Sequence, residues 1–256
     1  MQPFRKAPAG WNRKYKNADE NSEKEIRRKV KGKENEEKED ERKTKEKGEE
    51  KKPMTGKESR ETVIAGANLF TAITFDESTV RCLGEAAGRL RKLPGAEAFQ
   101  MEGREKYHLT LNFLPQVEDV GGLMRRLDEV RMTGFQLELS RIGIFANKES
   151  NVIWMGVTGD VQPLRELKEQ VDEASAPYCG LARERVYHPH ITLAFADASQ
   201  EVSQALQLWE GMKAESFAVE SFHLFQVSWK SGKEEYIRLA TYPLRGLSEK
   251  GGKQAG

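Results

Sequence analysis

A four-residue pattern that occurs twice restricts the folds open to this chain. Residues 108–111 read His-Leu-Thr-Leu and residues 190–193 read His-Ile-Thr-Leu, each within an apolar, β-branched stretch that predicts a strand. Side chains two residues apart on a strand point to the same face of the sheet. Each copy therefore presents a histidine beside a threonine, while its aliphatic residues face a core.

The two copies together favour phosphodiester chemistry. If His108 and His190 lie side by side, one imidazole can take a proton from an attacking water while the other donates a proton to the leaving ribose oxygen, and each transfer contributes about 10² to 10⁴ in rate. The Thr110 and Thr192 hydroxyls can donate to the phosphate oxygens. This chemistry needs no metal and no other cofactor. The chain has four histidines, and two of them head the same pattern, which favours a joint role over two structural histidines.

The spacing of apolar residues predicts strands and helices in a mixed order. Predicted strands span 68–75, 106–114, 135–145, 152–157, 188–195, 217–229 and 235–242, and predicted helices span 76–92, 119–131, 161–174 and 199–212. The order is not a clean strand–helix alternation, which favours antiparallel or mixed sheets. We expect an α+β, bilobal fold: a pseudo-twofold pair of antiparallel or mixed sheets with helices on the outer faces and a central catalytic cleft. The lobes are expected to follow chain order, with one histidine pattern in each.

Charge divides the chain into a tail and a body. Residues 1–60 hold 20 Lys and Arg and 14 Asp and Glu, and residues 17–53 contain almost no large apolar side chain. Such a stretch cannot offset its ordering entropy by burial. We predict a disordered N-terminal tail over 1–61, a folded domain over 62–248 and a disordered C-terminal tail over 249–256. The alternative to a solvated tail that binds nothing is a basic tail that binds RNA weakly through electrostatic attraction.

The cysteines and the hydropathy indicate the cellular compartment and the relation to membranes. Cys82 and Cys179 form no Cys-x-x-Cys pair, and no apolar run approaches the roughly 20 residues that span a bilayer. We therefore expect a cytoplasmic protein with no membrane partner. We also expect a monomer.

Residues 68–245 resemble the 2H phosphoesterases, and among them the RNA 2′,3′-cyclic phosphodiesterase branch, also described as 2′-5′ RNA ligases. The resemblance rests on an ordered set of segments: LFTAI at 69–73, YHLTLNFL at 107–114, VIWMGV at 152–157, RVYHPHITLA at 185–194, LFQVS at 224–228, and Tyr236.

The resemblance implies both an activity and roles for the two patterns. It implies hydrolysis of terminal 2′,3′-cyclic phosphates, on RNA ends or nucleosides, to 2′-phosphomonoesters, with weak reverse 2′-5′ ligation. It casts His108 as the proton donor and His190 as the proton acceptor, although the residues themselves leave the two roles interchangeable. Thr110 and Thr192 take the phosphate-binding role.

This chain departs from its relatives at two positions. Phe195 stands where many of them have a basic residue, so one phosphate contact is absent or comes from Arg185 or Lys106. A surface salt bridge is the alternative for Arg185. Pro115 replaces a common glycine, which should change only a loop.

Other residues near the patterns are weaker candidates. His188 is predicted to line the cleft mouth; its spacing from His190 also suits a metal pair, but no third ligand is evident. Phe70 and Trp154 could stack a terminal base or belong to the core. His223, without a partner motif, is predicted to be structural.

Two other functions stay open from the residues alone. One is a non-catalytic RNA-binding module that uses the same cleft. The other is a related enzyme that acts on ADP-ribose cyclic phosphate or on 2′-5′ oligoadenylate.

Overall fold

A computed structural model describes residues 66–148, 150–178, 187–230 and 233–246. The predicted tails, Cys179 and Arg185 lie outside these residues. No helix within the described ranges is long and apolar enough to cross a membrane.

The described residues form one curled sheet in which every pair of neighbouring strands is antiparallel. The strands are β1 (Ala67–Ile73), β2 (Gln100–Met101), β3 (Leu109–Val117), β4 (Phe135–Ala146), β5 (Ser150–Gly159), β6 (His190–Asp197), β7 (Ser216–Val219), β8 (Ser221–Lys230) and β9 (Lys233–Pro243). Their order across the sheet is β7-β4-β5-β6-β3-β1-β8-β9, and β2 pairs with β6. The predicted α+β class with antiparallel strands is confirmed.

The sheet narrows sharply at its centre, where β3 meets β6. These strands pair at a single position, Leu109 with Ile191. This junction separates a first half-sheet (β3, β1, β8 and β9) from a second half-sheet (β6, β5, β4 and β7). The two lobes expected from the sequence are therefore halves of one continuous sheet, with one histidine pattern on each side of the junction.

The grouping of strands into halves differs from the expected chain order. The first half-sheet takes β8 and β9 from the end of the chain, because β8 pairs with β1. The second takes β4 and β5, because β5 pairs with β6. The order of helices and strands along the chain does not predict which strands join which half-sheet, because strand pairing depends on contacts between residues far apart in the chain.

Three α-helices in the described residues cover the sheet: α1 (Glu77–Leu90), α2 (Val120–Leu127) and α3 (Val161–Ser175). The side chains of Asp76 and Asp119 cap α1 and α2 by accepting from the third backbone N–H beyond each cap, at 2.8 and 2.7 Å. Helix α3 contacts strands of both half-sheets, β3 and β4, while α2 packs on α3 and α1 contacts β6.

One large cluster of buried side chains joins the helices to the sheet. It contains the aliphatic residues of both patterns, Leu109, Leu111, Ile191 and Leu193, which are at most 2% exposed. The helices and these residues occupy one face of the sheet, so the histidines and threonines between them project from the other.

Pro115, expected to change only a loop, lies within β3. Two predicted elements also differ from those observed. The predicted helix 199–212 contains only a short 3-10 helix, Ser203–Gln207. Val202 and Ala205 are buried in this segment, but periodicity does not distinguish an α-helix from successive 3-10 turns. The predicted strand 217–229 is interrupted at Glu220, where the chain passes from β7 at the edge of one half-sheet to β8 in the other.

Candidate active site

The junction of β3 and β6 brings the two histidine patterns together. Because Leu109 faces Ile191 in an antiparallel pair, Thr110 lies toward His190 and His108 toward Thr192. His108 and His190 are diagonal neighbours across this pair, a relation that corresponds to about 7–8 Å between Cα atoms. All four side chains project from the face opposite the helices and are partly exposed. One phosphate can therefore lie between the two imidazoles.

Each imidazole is held by the same backbone hydrogen bond. His108 Nδ1 lies 2.7 Å from the carbonyl oxygen of Lys106, and His190 Nδ1 lies 2.8 Å from that of His188. A carbonyl oxygen can only accept, so Nδ1 carries the hydrogen and donates it in both residues. Nε2 is then the nitrogen that exchanges a proton with a substrate, and it can accept in the neutral ring or donate in the charged one.

Burial lowers the pKa of His108 from 6.5 to about 4. The hydrogen bond to the Lys106 carbonyl opposes this shift, whereas the positive charges of His190 and Lys106 add to it. That the charge on His190 acts on His108 agrees with their placement on the same face of the junction.

Aromatic rings surround each imidazole. The His108 ring lies 4.9 Å from that of Phe70 and 5.5 Å, edge to face, from that of Tyr236. The His190 ring lies 4.9 Å from Phe145 and 6.2 Å from Trp154. These contacts limit the orientations of both imidazoles and reduce their contact with water, which strengthens electrostatic interactions with a bound phosphate.

A pocket of ≈ 380 Å³ opens beside His108. Its wall combines aromatic and basic side chains, with Phe70, Phe225, Tyr236, Lys106 and Arg238 among them. The Phe70 and Phe225 rings stack at 5.1 Å. Lys106 forms an ion pair with Glu234 at 3.4 Å, and its Nζ lies 5.0 Å from the Tyr236 ring centroid. The wall also contains one acidic residue, Glu105. The aromatic rings and the Arg238 guanidinium give the pocket the chemical character of a site for an aromatic ligand that carries a phosphate.

The remaining residues singled out from the sequence occupy different positions. Trp154 is half-buried beside His190, and its indole Nε1 is buried without a hydrogen-bond partner among the described residues. His188 is exposed on the same side, 6.2 Å from the Phe145 ring. Phe70 is only 4% exposed and forms part of the pocket wall. Arg185 lies outside the described residues.

His223 does not join the patterns. It is 5% exposed, and its ring nitrogens lie 3.0 Å from the hydroxyls of Thr74 and Thr241, with the Ser221 hydroxyl at 3.4 Å. Burial lowers the pKa of His223 to about 4, with a smaller effect of Arg238. Within the described residues no cluster of three or more His, Cys, Asp or Glu is arranged to hold a metal.

Phe145, Phe225 and Arg238 are site residues that the sequence patterns do not predict, and Tyr236 is predicted only as a point of family resemblance. Phe225, Tyr236 and Arg238 lie on β8 and β9, far along the chain from His108. Their alternation along two strands identifies a shared face, but not that this face adjoins His108.

The comparisons with known proteins agree with this architecture. A family model described as the 2′-5′ RNA ligase superfamily matches residues 83–228, more than half of the chain. The chain therefore belongs to the 2′-5′ RNA ligase superfamily, which confirms the resemblance to 2H phosphoesterases.

Two relatives carry the name RNA 2′,3′-cyclic phosphodiesterase. The Escherichia coli (strain K12) protein is 30% identical over 150 residues, which cover 58% of this chain and 81% of that protein. The Aeropyrum pernix protein is 27% identical over 111 residues, which cover 42% of this chain and 63% of that protein, less than two thirds of its length.

Solved structures show the same fold. The crystal structure of E. coli LigT in apo form matches with a TM-score of 0.57 and 26% identity over 70% of this chain and 98% of that one. The structure of E. coli LigT complexed with 3′-AMP matches with a TM-score of 0.56 over the same shares of the two chains.

Proposed function

We propose that this chain hydrolyses 2′,3′-cyclic phosphates, at RNA ends or on nucleosides, to 2′-phosphomonoesters by acid–base catalysis between His108 and His190. The observation that supports the proposal is the single pairing of Leu109 with Ile191, which makes His108 and His190 diagonal neighbours across β3 and β6. The names of the relatives support the same substrate class.

In the proposed reaction His190 Nε2 accepts a proton from water as the water oxygen attacks phosphorus. The bond from phosphorus to the ribose 3′ oxygen breaks, and His108 Nε2 donates a proton to that oxygen. The hydroxyls of Thr110 and Thr192 donate to the non-bridging oxygens, where charge develops. With a ribose 5′-hydroxyl in place of water as the nucleophile, the same proton transfers and the same break of the bond to the 3′ oxygen give 2′-5′ ligation.

The lowered pKa of His108 is compatible with a donor role only if the substrate supplies the missing charge. A phosphate anion beside the imidazole favours the protonated ring, which opposes the effect of burial. We therefore propose that His108 takes up its proton as the anionic substrate binds. Lys106 repels that proton, but its ion pair with Glu234 reduces the effect.

We propose a cytoplasmic monomer that acts on RNA ends. Buried Cys82 is a free thiol, as in a reducing compartment.

The test is turnover of a nucleoside 2′,3′-cyclic phosphate and of an RNA oligomer with a 2′,3′-cyclic end, with the product identified by ³¹P NMR. His108→Ala and His190→Ala should each lower kcat by about 10² to 10⁴. His223→Gln is the matched control, because it changes a histidine of the same chain outside the junction. Undiminished turnover in either alanine variant, or a 3′-phosphomonoester as product, would contradict the proposal.

A further inference from the structure

The face of the first half-sheet that carries the pocket continues beyond it along β8 and β9. Phe225, Val227 and Trp229 alternate on β8, and their register partners on β9 are Arg238, Tyr236 and Glu234. Residues two apart on a strand, and their direct partners, share a face. Since Phe225, Tyr236 and Arg238 line the pocket, Trp229 lies on the same face at the end of this row.

Trp229 differs from the other aromatic residues of this face in its exposure. Phe70 and Phe225 are 4% and 8% exposed, whereas Trp229 is 47% exposed. Among the described residues only Leu206 is a comparably exposed large apolar side chain, at 50%, and it lies in the 3-10 helix away from β8. An exposed indole that ends a row of aromatic residues leading to a pocket is a surface suited to a planar ligand.

The distances fit a chain of nucleotides rather than a single one. The His108 and Tyr236 rings lie 5.5 Å apart. Tyr236 and Trp229 are diagonal neighbours across β8 and β9, which places their Cα atoms about 7–8 Å apart. The indole therefore lies roughly two to four stacked nucleotides from the catalytic centre, at about 3.4 Å for each step.

The charges on this face favour a phosphate backbone. The Arg238 guanidinium lies 5.6 Å from the Phe225 ring centroid, and among the described residues Arg238 makes no ion pair. The Glu234 carboxylate, the acidic group of this row, is paired with Lys106 and accepts from the Tyr236 hydroxyl at 3.1 Å. The unpaired cation of this row thus lies in the pocket wall, at the end of the row away from Trp229.

We propose that single-stranded RNA upstream of the cyclic end runs from the pocket along β8 and β9, with Arg238 on a phosphate at the pocket end of the row and a base stacked on Trp229. This inference rests on the proposed function and adds to it the path of the RNA. Binding then depends on the length of the RNA, because an oligomer reaches Trp229 whereas a mononucleotide occupies only the pocket.

The experiment compares kcat/KM for a hexanucleotide with a 2′,3′-cyclic end and for the matching mononucleoside 2′,3′-cyclic phosphate. Trp229→Ala should lower the ratio of hexanucleotide to mononucleotide kcat/KM about 5- to 100-fold through KM, because it removes one base–aromatic stack. Trp229→Phe, which keeps an aromatic ring, should retain most of the ratio. Leu206→Ala is the matched control, since it removes an equally exposed apolar side chain elsewhere and should leave the ratio unchanged.

Each outcome has a separate meaning. An unchanged ratio in Trp229→Ala overturns the proposed path, even if both substrates are hydrolysed. Equal losses for both substrates, not restored by phenylalanine, also overturn it, because they indicate a structural role. If the unaltered protein hydrolyses neither substrate, the proposed function fails. The RNA path would then still be supported if an uncleavable RNA oligomer quenches the tryptophan fluorescence of the unaltered protein but not that of Trp229→Phe.

Discussion

The pKa of His108 is the quantity that connects the geometry of the site most directly to a measurement. Burial lowers it from 6.5 to about 4. The difference corresponds to about 3 kcal/mol in favour of the neutral ring. Because the pKa is lower in the folded chain, the unfolded chain binds this proton more readily. The free energy of unfolding should therefore fall by up to about 3 kcal/mol as the pH falls from about 6.5 to about 4, and show no effect of His108 above that window.

The assay is titration of the four histidines by NMR of ¹⁵N-labelled protein, which also reports the tautomer of each ring. In the unaltered protein His108 should stay neutral, with the hydrogen on Nδ1, from pH 8 to about pH 5. Tyr236→Ala uncovers the imidazole, and His190→Gln removes a neighbouring positive charge. Both should raise the pKa of His108, and Tyr236→Ala should raise it more, because burial is the larger cause.

His223 provides the control for this titration. Its pKa is also lowered to about 4 by burial, but it lies among hydroxyls outside the junction and should not respond to His190→Gln. An unaltered His108 that titrates near 6.5 would refute the reasoning. So would a larger response to His190→Gln than to Tyr236→Ala, since charge rather than burial would then control the pKa.

Three further predictions concern the frame of the site and its chemistry. The Asn112 side chain on β3 donates hydrogen bonds to Asp172 and Ser175 on α3, at 2.8 and 3.2 Å. Asn112→Ala should therefore lower the free energy of unfolding by about 2 kcal/mol in urea denaturation. A loss within experimental error would contradict a role for these bonds. A Cβ on Gly143 would collide with the Trp154 ring, so Gly143→Ala should cost about 1–3 kcal/mol in thermal unfolding and lower kcat/KM by displacing the indole beside His190. A variant as stable and active as the parent would show that the indole moves freely. Because the two imidazoles supply both acid and base, turnover in excess EDTA should match turnover without it, and inhibition by the chelator would instead favour metal chemistry.

Much of the local architecture follows from patterns that the sequence carries. Alternation at residues 108–111 and 190–193 predicted the buried Leu109 and Ile191 and the histidines on the opposite face, because strand geometry alternates whatever the strand pairs with. Asp76 precedes a helix as a capping residue should, and its observed hydrogen bond is local. The family resemblance, carried by the same segments, is confirmed by the family match.

Local patterns were less reliable where two backbone forms bury the same residues. Val202 and Ala205 are buried, but Ser203–Gln207 forms a 3-10 helix and not the expected α-helix. Both forms bury residues three apart, so the spacing could not separate them.

By itself the sequence determined the class of the fold, the two histidine strands and the chemistry that they can perform, since these depend on residue type and on spacing within a few positions. Only the tertiary structure decided that the last two strands return to β1, that β3 and β6 meet at one residue pair, and that Phe225, Tyr236 and Arg238 enclose a pocket beside His108. These features are pairings between distant segments of the chain. They are selected by the packing of the whole sheet, and no short stretch of residues encodes them.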